Sequence, residues 1–282
     1  MSQSRLSRIK LVYEKGGFKG LINHILSKLK IDLKLNDDIS KTKRFFSNFV
    51  ANEYDYKIQS GHFKGIYLKN NLNIEILSNK LENLYETEVI NEIIELQSKY
   101  KKKYFVNLGA SDGFYVNGFL AKNIFDRSIC FDIDKKSIIA CGKNLNCNKI
   151  STDRYSLINK KMDDSSFQYF DNNNIDLKEC LFLIDIEGNE IDFLSIKNIE
   201  KLKNSILIIE MHEFIKSKDF SILKNNLENS FQVKQIGIEQ RNLEFREIHK
   251  RLLKSEIDKN IYISELRPSL MKWYVCVPKS KF

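Results

Sequence analysis

Residues 104–113 read YFVNLGASDG, an apolar segment followed by a turn of small residues. An apolar run that ends in small residues predicts a buried strand followed by a tight turn, and residues 113–125 then continue as a helix. Gly109, Ala110 and Gly113 let backbone amides approach a ligand closely, and the positive end of the helix points at it. The turn therefore predicts a small-cofactor site, although a glycine turn also closes any layer of strands and helices.

Strands and helices alternate outward from this turn. A helix is predicted from Tyr85, and further strands and helices follow to the C-terminus, which indicates βαβ units and a parallel sheet. The last apolar run has no helix after it, so we expect it to pair antiparallel with its predecessor. The predicted strands span 103–108, 128–133, 179–186, 205–212, 231–238 and 271–278, and the predicted helices span 113–125, 135–144, 189–202 and 217–229.

The second strand ends in CFDID, which places Asp132 about two dozen residues beyond the glycine turn, where a carboxylate can accept both ribose hydroxyls of an adenosyl ligand. The turn has the spacing G-x-x-x-G. A dinucleotide fold favours G-x-G-x-x-G, whose middle glycine admits a pyrophosphate. The sequence therefore favours a cofactor without a pyrophosphate, and an NAD-linked oxidoreductase is disfavoured.

Through FVNLGASDG, CFDID, LIDIEGNE and IIEMHEF, the chain resembles the FkbM-like family of class I S-adenosylmethionine (SAM) dependent methyltransferases over residues 80–278. The resemblance implies an α/β Rossmann-like fold, with a mostly parallel seven-stranded sheet and helices on both faces. It also implies a role for several residues in SAM binding: Gly109, Ala110 and Gly113 along the methionine part, Asp132 at the ribose, and Met162 or Asp163 near the adenine.

Asn107 departs from the family pattern, which usually has Asp at this position. An amide oxygen still accepts a hydrogen bond, but it brings no charge to the ammonium group of SAM. We expect a lower affinity for SAM, or compensation by Glu86 or Asp112.

Polar residues end the fourth and fifth strands of the implied sheet, where the carboxyl ends of strands border the ligand crevice. Period two places Asp185 with Glu187, and Glu210 with His212, on common faces. His212 is the first candidate for general base, with Asp185 and Glu187 orienting it or the acceptor. A divalent ion held by these four residues is a second interpretation. A third is that Glu210 and His212 only satisfy backbone groups.

The domain prediction is a basic N-terminal extension over residues 1–80 and a methyltransferase domain over 81–282. Residues 1–50 carry 11 basic and 4 acidic side chains, which is most of the net charge of +9. The extension is predicted to hold an amphipathic helix at 18–31, a linker at 35–50 and a hairpin at 61–77. That helix either packs on its own domain or contacts an anionic membrane surface. Because the positive charge lies away from the predicted catalytic residues, nucleic acid is not the expected partner.

The five cysteines form no CxxC pair and no zinc spacing, which is typical of a reducing compartment. The sequence has no 18-residue apolar run and no signal-peptide core, so a cytoplasmic protein is expected. Peripheral contact with a membrane surface through the basic N-terminus is the alternative to a freely cytoplasmic location.

Three histidines, His24, His62 and His249, are expected on the surface. Glu265 and Arg267 are expected to form a salt bridge at the edge of the sheet. Residues 241–266 are predicted to form a lid over the acceptor pocket.

The resemblance to the FkbM-like family implies methylation of a hydroxyl on a sugar, a glycan or a small metabolite. No (D/N)PP(Y/F) turn follows the fourth strand, and no Pro-Cys pair exists, so amino-group and pyrimidine-carbon methylation are disfavoured. The alternative from another class is a protein that binds RNA or a membrane surface and retains a degenerate SAM fold. The oligomeric state does not follow from the sequence.

Overall fold

The computed structural model describes residues 32–213, 220–237, 241–267 and 272–279. Within these ranges seven strands form one sheet in the order β3-β2-β1-β4-β5-β7-β6. Strands β1 to β5 pair in parallel, and β7 runs antiparallel between β5 and β6. The strands are β1 (Tyr104–Leu108), β2 (Arg127–Phe131), β3 (Tyr155–Ile158), β4 (Cys180–Ile184), β5 (Ile206–Met211), β6 (Phe231–Gly237) and β7 (Lys272–Pro278).

This strand order, with helices on both faces, is the Rossmann-like class I methyltransferase fold, so the predicted fold class is confirmed. Strands β1, β4 and β5 are buried along their whole length, as expected for parallel strands covered on both faces. Six strands had a readable apolar pattern in the sequence. The seventh, β3, has only four residues, all half-buried at the edge of the sheet, and its position was not predicted.

Helices cover the sheet on both faces. Alternate strand residues point to opposite faces, so Phe105 and Leu183 belong to one hydrophobic core, and Val106 and Phe182 to the other. The helices are α1 (Asp32–Glu53), α2 (Leu77–Leu81), α3 (Thr87–Tyr100), α4 (Phe114–Ala121), α5 (Lys135–Cys147), α6 (Phe167–Asn172), α7 (Glu190–Phe193), α8 (Ile196–Leu202), α9 (Phe220–Ser230), α10 (Glu247–Leu252) and α11 (Glu256–Ile263).

The N-terminal segment differs from its prediction. Residues 35–50 are not a linker but part of α1, because Phe46 and Val50 lie one helical turn apart and both are buried. The predicted hairpin at 61–77 is also wrong, since this region has turns, a short 3₁₀ helix and one antiparallel bridge between Lys57 and Tyr67. The helix predicted at 18–31 lies outside the described residues.

Residues 46–84 share the hydrophobic core of the sheet domain. Phe63 packs edge-to-face against Phe114 and Phe119, at 5.4 Å and 5.1 Å between ring centroids. The boundary predicted between residues 80 and 81 falls inside α2. The described part of the predicted extension therefore packs directly on the helices around the glycine turn.

Residues 241–266 hold α10 and α11, and α11 packs against α1 and α2. The buried ammonium of Lys43 in α1 donates to Asn79 Oδ1 at 2.5 Å and to the carbonyl oxygen of Tyr262 in α11. Among the described residues, none of those at 241–266 lines the main cavity, so the predicted lid is wrong. None of the helices described is long and apolar enough to span a membrane.

Candidate active site

A cavity of about 540 Å³ opens at the carboxyl ends of β1, β2 and β4. Its floor is the turn after β1, and residues at 73–85 form a wall. The volume lies within the range of pockets that bind drug-sized ligands. The strand ends follow from the sequence but the wall does not, because no local pattern marks residues 73–85 as neighbours of the glycine turn.

Gly109 begins the turn with a φ of +84°, a left-handed conformation that favours glycine. A Cβ at this position would lie 1.8 Å from the backbone oxygen of Asp185, so the turn after β1 packs directly on the end of β4. Ala110 lines the cavity beside Gly109. Gly113, with a φ of +77°, is the N-cap of α4 and does not line the cavity.

Asp132 lies at the end of β2, half-buried on the cavity wall. Its Oδ2 accepts a hydrogen bond from the Ser111 amide at 2.9 Å, and its Oδ1 accepts one from the Asp134 amide at 2.8 Å. Each carboxylate oxygen keeps a further lone pair, because a carboxylate accepts about four hydrogen bonds. The side chain is therefore held in place and still able to accept two hydroxyl groups.

Asn107 lines the same cavity and is 2% exposed. Its Oδ1 is buried and accepts no hydrogen bond from any described residue. A buried acceptor without a hydrogen bond costs free energy, so this oxygen is suited to accept a hydrogen bond from a ligand. The two carboxylates expected to compensate for Asn107 already have partners. Asp112 pairs with buried Lys80 at 2.8 Å, and Glu86 pairs with Arg267.

Met162 and Asp163 were alternative neighbours of the adenine, and the structure separates them. Met162 is buried and lines the cavity. Asp163 is exposed, and its carboxylate caps a short 3₁₀ helix by accepting from the amides of Ser165 and Ser166. The hydrogen bonds from Ser165 and Ser166 lower the pKa of Asp163 to about 2. Asp163 therefore lies outside the cavity lining.

His212, just after β5, is buried among carboxylates. Its Nδ1 lies 3.0 Å from Glu190 Oε1. Its Nε2 lies 3.5 Å from Glu187 Oε2, and 3.7 Å from both Asp185 Oδ1 and Glu210 Oε2. The four residues predicted to act together are thus brought together. Only Asp185 and Glu187 among them line the cavity.

The charge of this cluster changes the role expected of His212. Burial disfavours the imidazolium, but hydrogen bonds to Glu187 and Glu190 and the negative charges nearby outweigh it and raise the pKa of His212 to about 10. At neutral pH the ring then has no free lone pair with which to take a proton. In this arrangement His212 is an imidazolium partner of the carboxylates, which does not suit the general base expected from the sequence.

The carboxylates of the cluster respond in opposite directions. Burial and the neighbouring charge of Glu210 raise the pKa of Asp185 well above its ordinary value. The hydrogen bond to His212 lowers the pKa of Glu187. Glu187 is also the more accessible of the two, since 86% of its side chain is exposed against 28% for Asp185.

Arg267 has a larger role than the edge salt bridge expected from the sequence. Its guanidinium donates to Glu86 and Glu210, and to Glu265 Oε2 at 2.7 Å. Burial raises the pKa of Glu86 to about 7 even though Arg267 opposes the shift. The segment at 265–267 thereby connects the end of β5 with the start of α3.

Two further residues were missed by sequence analysis. Glu190 is fully buried, and its Oε1 accepts from the amides of Ile186 at 3.1 Å and Gly188 at 3.2 Å. The third acidic residue in DIEGNE was the available signal for it. His249, predicted on the surface, is buried with Nε2 at 2.9 Å from Glu82, because α10 packs inward. His62 is exposed as predicted, and His24 is outside the described residues.

The chain is similar in fold to several solved structures. No protein-family profile matches the chain, and no curated protein sequence matches it. A candidate O-methyltransferase from Klebsiella pneumoniae has a TM-score of 0.42 and 8% identity over 68% of this chain and 80% of that one. The methyltransferase domain of bacterial CtHen1 has a TM-score of 0.41 and 13% identity over 70% of this chain and 100% of that one.

Cofactor-bound Rv0187 from MTB has a TM-score of 0.42 and 10% identity over 70% of this chain and 82% of that one. At such TM-scores and identities these similarities establish neither activity nor substrate. The fold assignment rests on the strand order and the parallel connections described above.

Proposed function

We propose that the protein transfers a methyl group from SAM to a hydroxyl of a sugar, a glycan or another small molecule. The observation that carries the proposal is the cavity in which the close glycine turn, the unpaired Asn107 oxygen and the carboxylate of Asp132 meet. Nucleic acid is not the acceptor we favour, because acidic rather than basic side chains gather where the acceptor would lie.

The residues present fit SAM. Asp132 would accept the ribose hydroxyls, because each of its oxygens has capacity left beside one backbone hydrogen bond. Asn107 would accept from the ammonium group, which supplies the donor that its oxygen lacks. Met162 would pack on the adenine. When bound, SAM supplies a methyl group activated by its sulfonium.

Asp185 and Glu187 would face the acceptor, because both line the cavity. SAM would supply the methyl group, and its sulfur would keep the electron pair of the carbon–sulfur bond that the acceptor oxygen displaces. The hydroxyl proton must pass to a base, and a carboxylate on the cavity wall would accept it. Holding the acceptor oxygen in line with the methyl group is the other contribution expected of these two residues.

Calorimetry with SAM tests the proposal. We expect affinity in the micromolar range, about −8 kcal/mol, and a loss of about tenfold or more for Asp132→Ala. Asp171→Ala is the matched control, since Asp171 is an exposed carboxylate in α6 outside the cavity lining.

Absence of SAM binding by the intact protein would contradict the proposal and favour a binding protein with a degenerate SAM fold. Equal SAM affinities for the two variants would show that Asp132 does not bind the ribose. With SAM bound, the release of S-adenosylhomocysteine in the presence of hydroxylated acceptors then tests the O-methyl assignment.

A further inference from the structure

We infer that Asp185, Glu187 and His212 form a binding site for one divalent cation of the magnesium or manganese class. One ligand atom from each of these residues lies within 4.8 Å of the other two. Ligands about 2.1 Å from an octahedral ion are separated by about 3 to 4.2 Å, so the observed spacing needs only small side-chain movements. The two carboxylates suit these ions, and the single imidazole, a more usual ligand of zinc, iron or copper, is the minority donor.

The imidazole of His212 is oriented for this role. Glu190 engages Nδ1 at 3.0 Å, which leaves Nε2 facing Asp185 and Glu187. Glu190 is itself fixed by the amides of Ile186 and Gly188. Histidines that ligate metals are commonly held in this way, with the second ring nitrogen bonded to a carboxylate.

A buried oxygen without a hydrogen-bond donor also supports a cation at this position. Asp185 Oδ1, the oxygen that faces His212 Nε2 at 3.7 Å, is buried and accepts no hydrogen bond from any described residue. A buried oxygen of this kind is costly unless a donor or a cation satisfies it. The surrounding charges agree, since four carboxylates among the described residues, Asp185, Glu187, Glu190 and Glu210, lie around His212 and Arg267. A divalent ion would take the place of the proton that His212 carries on Nε2.

Glu210, expected as a fourth ligand, is not part of this set, because Arg267 pairs with one of its oxygens. Three protein ligands leave coordination positions for water and for an acceptor. Asp185 and Glu187 line the cavity, so the open side faces the acceptor. Two neighbouring hydroxyls, as on a sugar ring, fit two such positions. This role in substrate selection rests on the proposed function, whereas binding of the ion does not.

Manganese binding by the full chain tests the inference. After chelation and dialysis, titration with Mn²⁺ alone, followed by electron paramagnetic resonance, should show one saturable site per chain. Glu187→Gln should weaken it by about tenfold or more. Because 86% of the Glu187 side chain is exposed, this variant should keep its fold, as circular dichroism can verify. Glu200→Gln, an exposed surface change on α8, should leave the affinity unchanged.

Absence of a saturable site, or equal Mn²⁺ affinity in the parent and Glu187→Gln, would overturn the inference. SAM calorimetry on the same preparation separates the two proposals. Binding of SAM without Mn²⁺ binding would reject the cation site and leave the methyltransferase proposal standing. Binding of Mn²⁺ without SAM binding would support the cation site and reject the methyltransferase proposal.

Discussion

Two halves of the candidate site are built in different ways. The loop half, residues 109–113 with Asp132, presents backbone groups, small residues and one carboxylate held by two amides. The charged half consists of Asp185, Glu187, Glu190, Glu210, His212 and Arg267, and its ion pairs join side chains from distant parts of the chain.

The difference indicates how recognition is divided between them. The loop half comes from two neighbouring strands and their turns, so its shape depends on local backbone geometry and suits one constant ligand. The charged half depends on the balance between carboxylates and cations. A change there alters stability and acceptor chemistry together.

Replacing Arg267 with Met should produce the largest effect. It leaves the carboxylates of Glu86 and Glu210 buried without their cation. Loss of one partner from a buried pair costs about 3–5 kcal/mol, and we expect a decrease of this size in the free energy of unfolding. Chemical denaturation measures it.

Arg44→Met is the control for Arg267→Met. Arg44 pairs with Glu75 at 2.9 Å, but 59% of its side chain is exposed, so its removal should cost about 1 kcal/mol or less. Similar losses in the two variants would show that the charged half is no more tightly coupled than the protein surface.

The sequence predicted the loop half more completely than the charged half. The positions of Gly109 and Asp132 follow from strand ends, whose apolar runs are continuous because β1 and β2 are almost fully buried. The positions of Asp185 and His212 could also be predicted, because these residues directly follow the buried strands β4 and β5. The contacts of Arg267 with Glu86 could not be predicted, because they join residues 181 positions apart.

Errors in the N-terminal segment have a related cause. Residues 35–50 are rich in polar side chains, so the buried positions of α1 were hidden in a composition typical of linkers. Their apolar partners lie in the sheet domain, and only tertiary packing shows which face of α1 is covered. The charge of His212 likewise depends on Glu190, whose burial is a property of the folded chain.

Gly109→Ala should have the next largest effect and tests the loop half. The added Cβ would meet a backbone oxygen at 1.8 Å in a left-handed conformation, so we expect a stability loss of about 2 kcal/mol or more and loss of SAM binding. Thermal denaturation and calorimetry measure the two effects.

Gly65→Ala is the control for Gly109→Ala, because it introduces backbone strain without a close contact. Gly65 has a φ of +92°, but a Cβ there meets nothing within 4 Å. This variant should lose about 1 kcal/mol through backbone strain alone, with unchanged SAM affinity. Equal losses for the two variants would mean that the close contact between the turn and β4 contributes nothing.

The smallest effect is expected for Asp163→Ala, which tests whether Asp163 belongs to the loop half. Asp163 caps a 3₁₀ helix outside the cavity lining, so its removal should lower the melting temperature by no more than a few degrees. Asp163→Asn preserves a capping oxygen and should restore that loss. Neither variant should change SAM affinity more than about twofold, because Met162 is the neighbour that lines the cavity. A tenfold loss in both variants would instead place the carboxylate of Asp163 at the cofactor.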